Sequence, residues 1–256
     1  MAVVKLYDAH SHLPDAGSSD CLTTDLVNLK SIDLRYSVIN GTSPTDWTTV
    51  LDFAKKNSQL LPAIGLHPQK VQSAPRNWKD VFLKILDSYS VCAIGEIGLD
   101  RRNQNYDIEE QLNAFCWQLE QAYTRNISVS IHCLKATGLL MEVLRNHNLP
   151  SRGIHLHAYN CSAELIPELV ELGAYFSFSA RQLKCNSKKV RNQILAIPIQ
   201  RLLIETDGNC GNDFSTLYNC YTRIAQIRKM PLHILSECVG KNFEAYFLAQ
   251  QTVAST

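Results

Sequence analysis

The sequence predicts an α/β fold, a single (β/α)8 TIM-like barrel, from three observations. Short apolar, β-branched runs recur along all 256 residues, most intervals between them hold one amphipathic stretch, and no Pro/Gly/Ser-rich linker divides the chain. The runs are Val3–Ala9, Tyr36–Gly41, Leu60–Leu66, Val91–Leu99, Ile127–Ile131, Gly153–Ala158, Ala174–Ser179 and Arg201–Thr206, with starts 21 to 36 residues apart. Apolar residues return at helical spacing in Trp47–Lys56, Trp78–Tyr89, Glu109–Arg125, Leu139–His147, Ala163–Leu172 and Tyr218–Arg228, and more weakly in Val190–Ile197. Strands apolar on both faces belong to a parallel sheet covered on both sides, and eight of them in about 250 residues is the arithmetic of a barrel. An open doubly wound sheet is the alternative; it fits less well because no Gly-rich phosphate loop follows the first run. Residues 1–256 are read as one domain.

Composition narrows the function. Hydrophobic residues make up 45% and charged residues 19%, which excludes intrinsic disorder. Twenty-five Lys and Arg against 24 Asp and Glu give a net charge of +1, which excludes a globally basic nucleic-acid coat but not a local patch. The opening MAVVKLYDAHSH lacks the apolar core of a signal peptide, and no stretch approaches the ~18 uncharged apolar residues of a membrane span, so no membrane partner is expected. The nine cysteines are odd in number, scattered and without a CxxC pair, which reads as reduced thiols in a cytoplasmic protein.

Hydrophilic residues interrupt the runs at their ends. The first run leads into Asp8-Ala9-His10-Ser11-His12. Alternate residues of a strand share a face, which puts His10 and His12 roughly 6–7 Å apart at the Cα atoms, close enough to chelate one ion. A D-x-H-x-H pattern arises by chance roughly once in a hundred chains of this composition. Glu96 stands near the end of the fourth run, His132 after the fifth, His157 in the sixth and Asp207 after the eighth. In a parallel barrel these ends open on one face, so six donors from five strands would converge. Imidazole nitrogen and carboxylate oxygen suit a divalent ion such as Zn, Mn or Mg, and the lack of ligating thiolates argues against a purely structural zinc. One or two divalent cations are expected; a central Glu96 would bridge two, a spacing that suits in-line displacement at phosphorus. Each residue alone would be an ordinary core or surface group, and it is the register at five strand ends that makes a site. His147 and His233 are read as surface residues and His155 as core packing.

These residues carry a pattern: Asp8–Leu13, Gly65–Gln69, Ile94–Asp100, Ile131–Ala136, His157–Ser162, Ile197–Asp207 and Asn242–Phe243, in that order. The chain resembles the TatD family of metal-dependent deoxyribonucleases, a branch of the amidohydrolase-like barrels. The resemblance implies a distorted TIM barrel that hydrolyses DNA phosphodiester bonds with a metal-activated water as nucleophile. It implies His10, His12, Glu96 and Asp207 around a first ion, and Glu96, His132 and His157 around a second. His67 would line the pocket and contact the scissile phosphate, Glu205 would position a ligand or water, and Asp207 would also accept a proton.

Departures from the family pattern fall in loops that shape the crevice: Arg101-Arg102, Leu134-Lys135, Tyr159-Asn160-Cys161 and Gly208–Gly211. Between Phe178 and Leu203 lie six basic residues and no acid. Arg181 and Lys184, with Arg101, Arg102 and Lys135 from neighbouring loops, are expected to draw a DNA substrate to the metal face, more weakly as salt rises. Tyr159 beside them could stack an unpaired base. Because a barrel-mouth site is recessed, single-stranded or frayed DNA is the expected form. TatD-like chains also occur beside other proteins in bacterial defence systems, so a nuclease acting with protein subunits of a defence complex is compatible with the altered loops. Two other readings compete: a metal-dependent hydrolase of small esters, amides or lactones on the same barrel, and a non-catalytic partner-binding barrel.

Overall fold

A computed structural model describes residues 4–13, 32–103, 105–185, 187–208 and 214–248. Seven strands form one parallel sheet in chain order: β1 (Val4–Ser11), β2 (Ile32–Gly41), β3 (Leu60–Ile64), β4 (Ala93–Asp100), β5 (Ser128–Leu134), β6 (Ile154–Leu156) and β7 (Ala174–Phe176). Val3 and residues 209–211 of the sequence reading lie outside the described residues. The helices are α1 (Trp47–Lys56), α2 (Trp78–Ser88), α3 (Ile108–Arg125), α4 (Thr137–Asn146), α5 (Ile166–Glu171), α6 (Ala180–Lys184), α7 (Lys188–Ala196), α8 (Phe214–Arg228) and α9 (Leu232–Phe243). This is the TIM-barrel-like architecture expected from the run spacing.

The eighth run departs from its expected form. Residues 201–206 make a single ladder bridge, Phe176 to Leu202, instead of a regular strand. Their backbone groups are divided between two neighbours: Leu203 N–H donates to Phe176 O (2.7 Å), while Ile204 O accepts from Ala9 N–H (2.9 Å). Asp207 N–H then donates to His10 O (3.0 Å). The segment thus closes β7 onto β1, and it cannot continue as a strand because Asp207 takes a left-handed φ of 52°.

The main apolar core lies between sheet and helices, with Trp47, Phe82, Phe115 and Phe176 fully buried. A second cluster joins Tyr7, Ala9, Val38, Ala63, Ala93 and Leu203 to Phe243, Tyr246 and Phe247 after α9. Small side chains on the strands leave room for the three aromatics, and Tyr246 Oη donates to Val129 O (2.7 Å) at the start of β5. The plug therefore fills the end of the barrel where strands begin, leaving the ends where strands finish for the polar residues.

Helix α3 positions two of those ends. Its first turn is capped by Asp107, whose carboxylate accepts from Glu109 N–H (2.8 Å) and Glu110 N–H (3.2 Å), satisfying two of the helix's otherwise unpaired donors. Gln111 and Gln118, seven residues apart and so on one face, are both buried. Gln111 clamps the Asp100 backbone with Oε1 to N–H (2.8 Å) and Nε2 to C=O (3.0 Å). Gln118 does the same for Leu66, next to His67 (2.7 and 3.3 Å).

Candidate metal centre

All six expected donors meet at the mouth, around Glu96. Its Oε2 lies 3.5 Å from His10 Nε2 and 3.6 Å from His12 Nε2. Those two nitrogens are 3.3 Å apart, and His12 Nε2 is 3.7 Å from Asp207 Oδ1. The other oxygen, Oε1, lies 2.9 Å from His132 Nδ1 and 2.8 Å from His157 Nε2, which are themselves 3.2 Å apart. One carboxylate therefore serves two donor sets, one per oxygen. Ligands about 2.0–2.2 Å from a tetrahedral ion stand roughly 3.3–3.6 Å from one another, and octahedral neighbours about 3.0 Å. Both sets have that spacing, so the residues fit two divalent ions.

Glycine makes the arrangement possible. Gly98 has φ +136°, and a Cβ there would lie 2.0 Å from His132 O. A Cβ on Gly95 would lie 2.6 Å from the Ser130 Cβ. Only with both side chains absent can β4 carry Glu96 this close to β5.

Electrostatics agree with a charged, cation-ready centre. Glu96 is 3% exposed, and burial opposes its ionisation, but the surrounding imidazoles, His157 first, hold its pKa well below the usual carboxylate range. Asp207 is likewise held low, against burial, by a hydrogen bond from His12 and by the charges of His157 and His10.

His67 belongs to the cluster but is not placed as a ligand. Its Nδ1 accepts from Gln69 N–H (3.1 Å), so the neutral ring carries its proton on Nε2, which points at Glu96 Oε1 (3.3 Å). It thus offers an N–H to the crevice.

The remaining expected residues divide. Arg102 lines the crevice, its guanidinium fixed on Asp100 by Nη2–Oδ2 (2.7 Å) and Nε–Oδ2 (3.0 Å) contacts, and Arg181 lines the same space of about 670 Å³. Arg101 and Lys135 are exposed outside that lining. Lys184 points away: it lines a separate hollow with Thr216 and Arg223, because α6 turns it toward α8. Tyr159 is core and offers no stacking face; it is 1% exposed, its ring lies edge-on to Phe176 and its hydroxyl donates to Ser162 O (2.7 Å). Glu205 cannot hold a water in the crevice, since it is fully buried, accepting from Ala158 N–H (2.7 Å) with His157 Nδ1 at 3.6 Å. His147 and His233 are exposed and His155 is buried, as read.

Two contributors go unnoticed in the sequence. Lys70 lines the crevice, and Asp100 anchors His132, Arg102 and Gln69 together. Asp100 shares the strand face of Glu96 at i+4, which is the signal that could have found it. The seven described cysteines are free thiols, and no described helix is long and apolar enough to cross a membrane.

Comparison with known proteins agrees with this geometry. The family model described as TatD related DNase matches residues 7–248. A relative from Bacillus subtilis (strain 168), named as the uncharacterized metal-dependent hydrolase YabD, is 28% identical over 253 residues, 94% of this chain and 98% of its own. The uncharacterized metal-dependent hydrolase TatD of Mycobacterium tuberculosis is 24% identical over 79% of both chains. The crystal structure of the TatD homologue YjjV from Escherichia coli K12 superposes with a TM-score of 0.85 at 22% identity, covering 96% of this chain and 98% of that one. With fold, length and motif order all shared, this chain belongs to the TatD-related DNase family of metal-dependent hydrolases.

Proposed function

We propose that the protein hydrolyses DNA phosphodiester bonds with two divalent ions, His10, His12, Glu96 and Asp207 holding one and Glu96, His132 and His157 the other. The observation that carries this reading is the division of the Glu96 oxygens between two donor sets, 3.5 and 3.6 Å on one side, 2.9 and 2.8 Å on the other. Ions bound there would neutralise charge developing on the phosphoryl oxygens and lower the pKa of an attacking water. The chain's own residues do the rest. The His67 N–H, Arg102 and Arg181 face the crevice and would bind and orient a phosphate. Asp207, kept ionised, can accept a proton at its carboxylate. Glu205 takes no part at the reacting atoms; it orients His157.

A DNA substrate is favoured by the cations Lys70, Arg102 and Arg181 around the centre in a chain of net charge +1. The test is digestion of end-labelled single- and double-stranded DNA with Zn, Mn or Mg, beside a panel of small esters and lactones. Release of nucleotides that stops with chelator and in Glu96→Ala supports the proposal. Turnover of small esters with none of DNA overturns it.

A further inference from the structure

Beneath the centre runs a continuous chain of polar contacts through a histidine outside both ligand sets. His10 Nδ1 lies 3.2 Å from Ser130 Oγ, which lies 3.3 Å from His155 Nδ1. His155 Nε2 lies 2.6 Å from Ser177 Oγ, which donates to Glu205 Oε2 at 2.5 Å. Ser130, His155, Ser177 and Glu205 are all fully buried, and the His155 ring is walled by the edges of Tyr246 and Phe247. Water cannot reach these groups, so each proton must be supplied within the chain.

That requirement gives the chain one direction. A serine hydroxyl has a single proton, and Ser177 gives its own to the Glu205 carboxylate, which can only accept. Ser177 Oγ must therefore accept from His155, which places the His155 proton on Nε2. A neutral His155 then has a bare Nδ1, which takes the Ser130 hydroxyl proton. Ser130 Oγ is left to accept from His10, whose proton must sit on Nδ1. The His10 Nε2 facing Glu96 and His12 is consequently bare, the form that binds a cation. His155 stays neutral because it is buried between two hydroxyls, with the nearest carboxylate oxygen 3.9 Å away; burial, then the His10 and His157 rings, push its pKa well below the ordinary imidazole value.

We infer that His155, with Ser130 and Ser177, is a positioning residue that carries the fixed polarity of Glu205 to His10 and holds His10 in its metal-binding tautomer. This rests on the two-ion reading above. Glu205 Oε1, beside His157 Nδ1 at 3.6 Å, would serve the second set in the same way, so one buried carboxylate would orient a ligand of each ion. Partners of this kind typically alter metal affinity by about 10- to 100-fold.

The test uses the full chain loaded with Zn²⁺. Imidazole nitrogen NMR of the zinc-loaded protein is expected to show His155 protonated on Nε2 and His10 on Nδ1. Ser130→Ala breaks the link to His10 while leaving His155 bonded to Ser177. It is expected to weaken zinc binding at the first site about 10- to 100-fold with the metal-free melting temperature unchanged, and His155→Leu to do the same. His155→Gln, which keeps one donor and one acceptor, is expected to recover part of the loss. A His155 proton on Nδ1, or zinc affinity unaltered in folded Ser130→Ala, overturns the inference alone. Wild-type protein that binds no zinc overturns it together with the two-ion reading. If Ser130→Ala does not fold, the His155 tautomer decides.

Discussion

Asp100 Oδ2 lies 3.1 Å from His132 Nε2, while the opposite nitrogen of that ring faces Glu96 Oε1 at 2.9 Å. A carboxylate behind an imidazole fixes the ring's orientation and raises its basicity toward a cation. Burial opposes the Asp100 charge, but hydrogen bonds from His132, Arg102 and Gln69 outweigh it and keep the carboxylate ionised. Asp100→Ala is expected to weaken the ion held by His132 and His157 by about 10- to 100-fold while sparing the other, as read from a stepwise zinc titration.

Metal uptake should release protons. Burial alone would push the His157 imidazole down, but the carboxylates of Glu96 and Glu205 outweigh it and hold its pKa well above its ordinary value. His12, beside Asp207 and Glu96, and His132, beside Asp100 and Glu96, are also raised against burial. Imidazoles with raised pKa hold protons in the metal-free protein at neutral pH and must lose them to bind an ion. Affinity is therefore expected to fall as pH drops from 8 toward 6, with the window centred above the ordinary imidazole value of about 6.5. Calorimetry in buffers of different ionisation enthalpy checks this; a binding enthalpy independent of buffer contradicts it.

The cations at the mouth are expected to set salt dependence. Arg181 lines the crevice and Lys184, three residues on, lines a separate hollow beside α8. If each phosphate contact contributes about 0.7 to the slope of log affinity against log salt for a single strand, Arg181→Ala should lower that slope by about 0.7. Lys184→Ala should leave it unchanged. Fluorescence anisotropy with a labelled oligonucleotide across a salt series distinguishes the two.

Gly98→Ala is expected to destabilise the fold by about 3 kcal/mol or more, because its Cβ would meet His132 O at 2.0 Å and its φ of +136° is one that only glycine adopts readily. Chemical denaturation of the metal-free protein measures this.

Much of the fold is legible because the signals are local. Helices α1 and α3 follow from apolar residues at helical spacing, and the ligands from hydrophilic residues at strand ends. The eighth strand is not legible in its true form, since sharing backbone partners between β7 and β1 leaves no mark on its composition. Tyr159 and Lys184 depend on how short loops turn, and charge or aromaticity alone does not say whether a side chain faces the crevice or the core. Asp100 and His155 act through partners on β5 and β7 far along the chain, so their roles emerge only when the strands are side by side.

The central claim is that Glu96 stands between two cations. Anomalous diffraction from crystals grown with Zn or Mn tests it most directly. Two peaks about 3.5–4 Å apart are expected, one among His10, His12 and Asp207 and one between His132 and His157, with a Glu96 oxygen toward each. An empty cluster, or one ion that leaves His132 and His157 uncoordinated, would contradict the account.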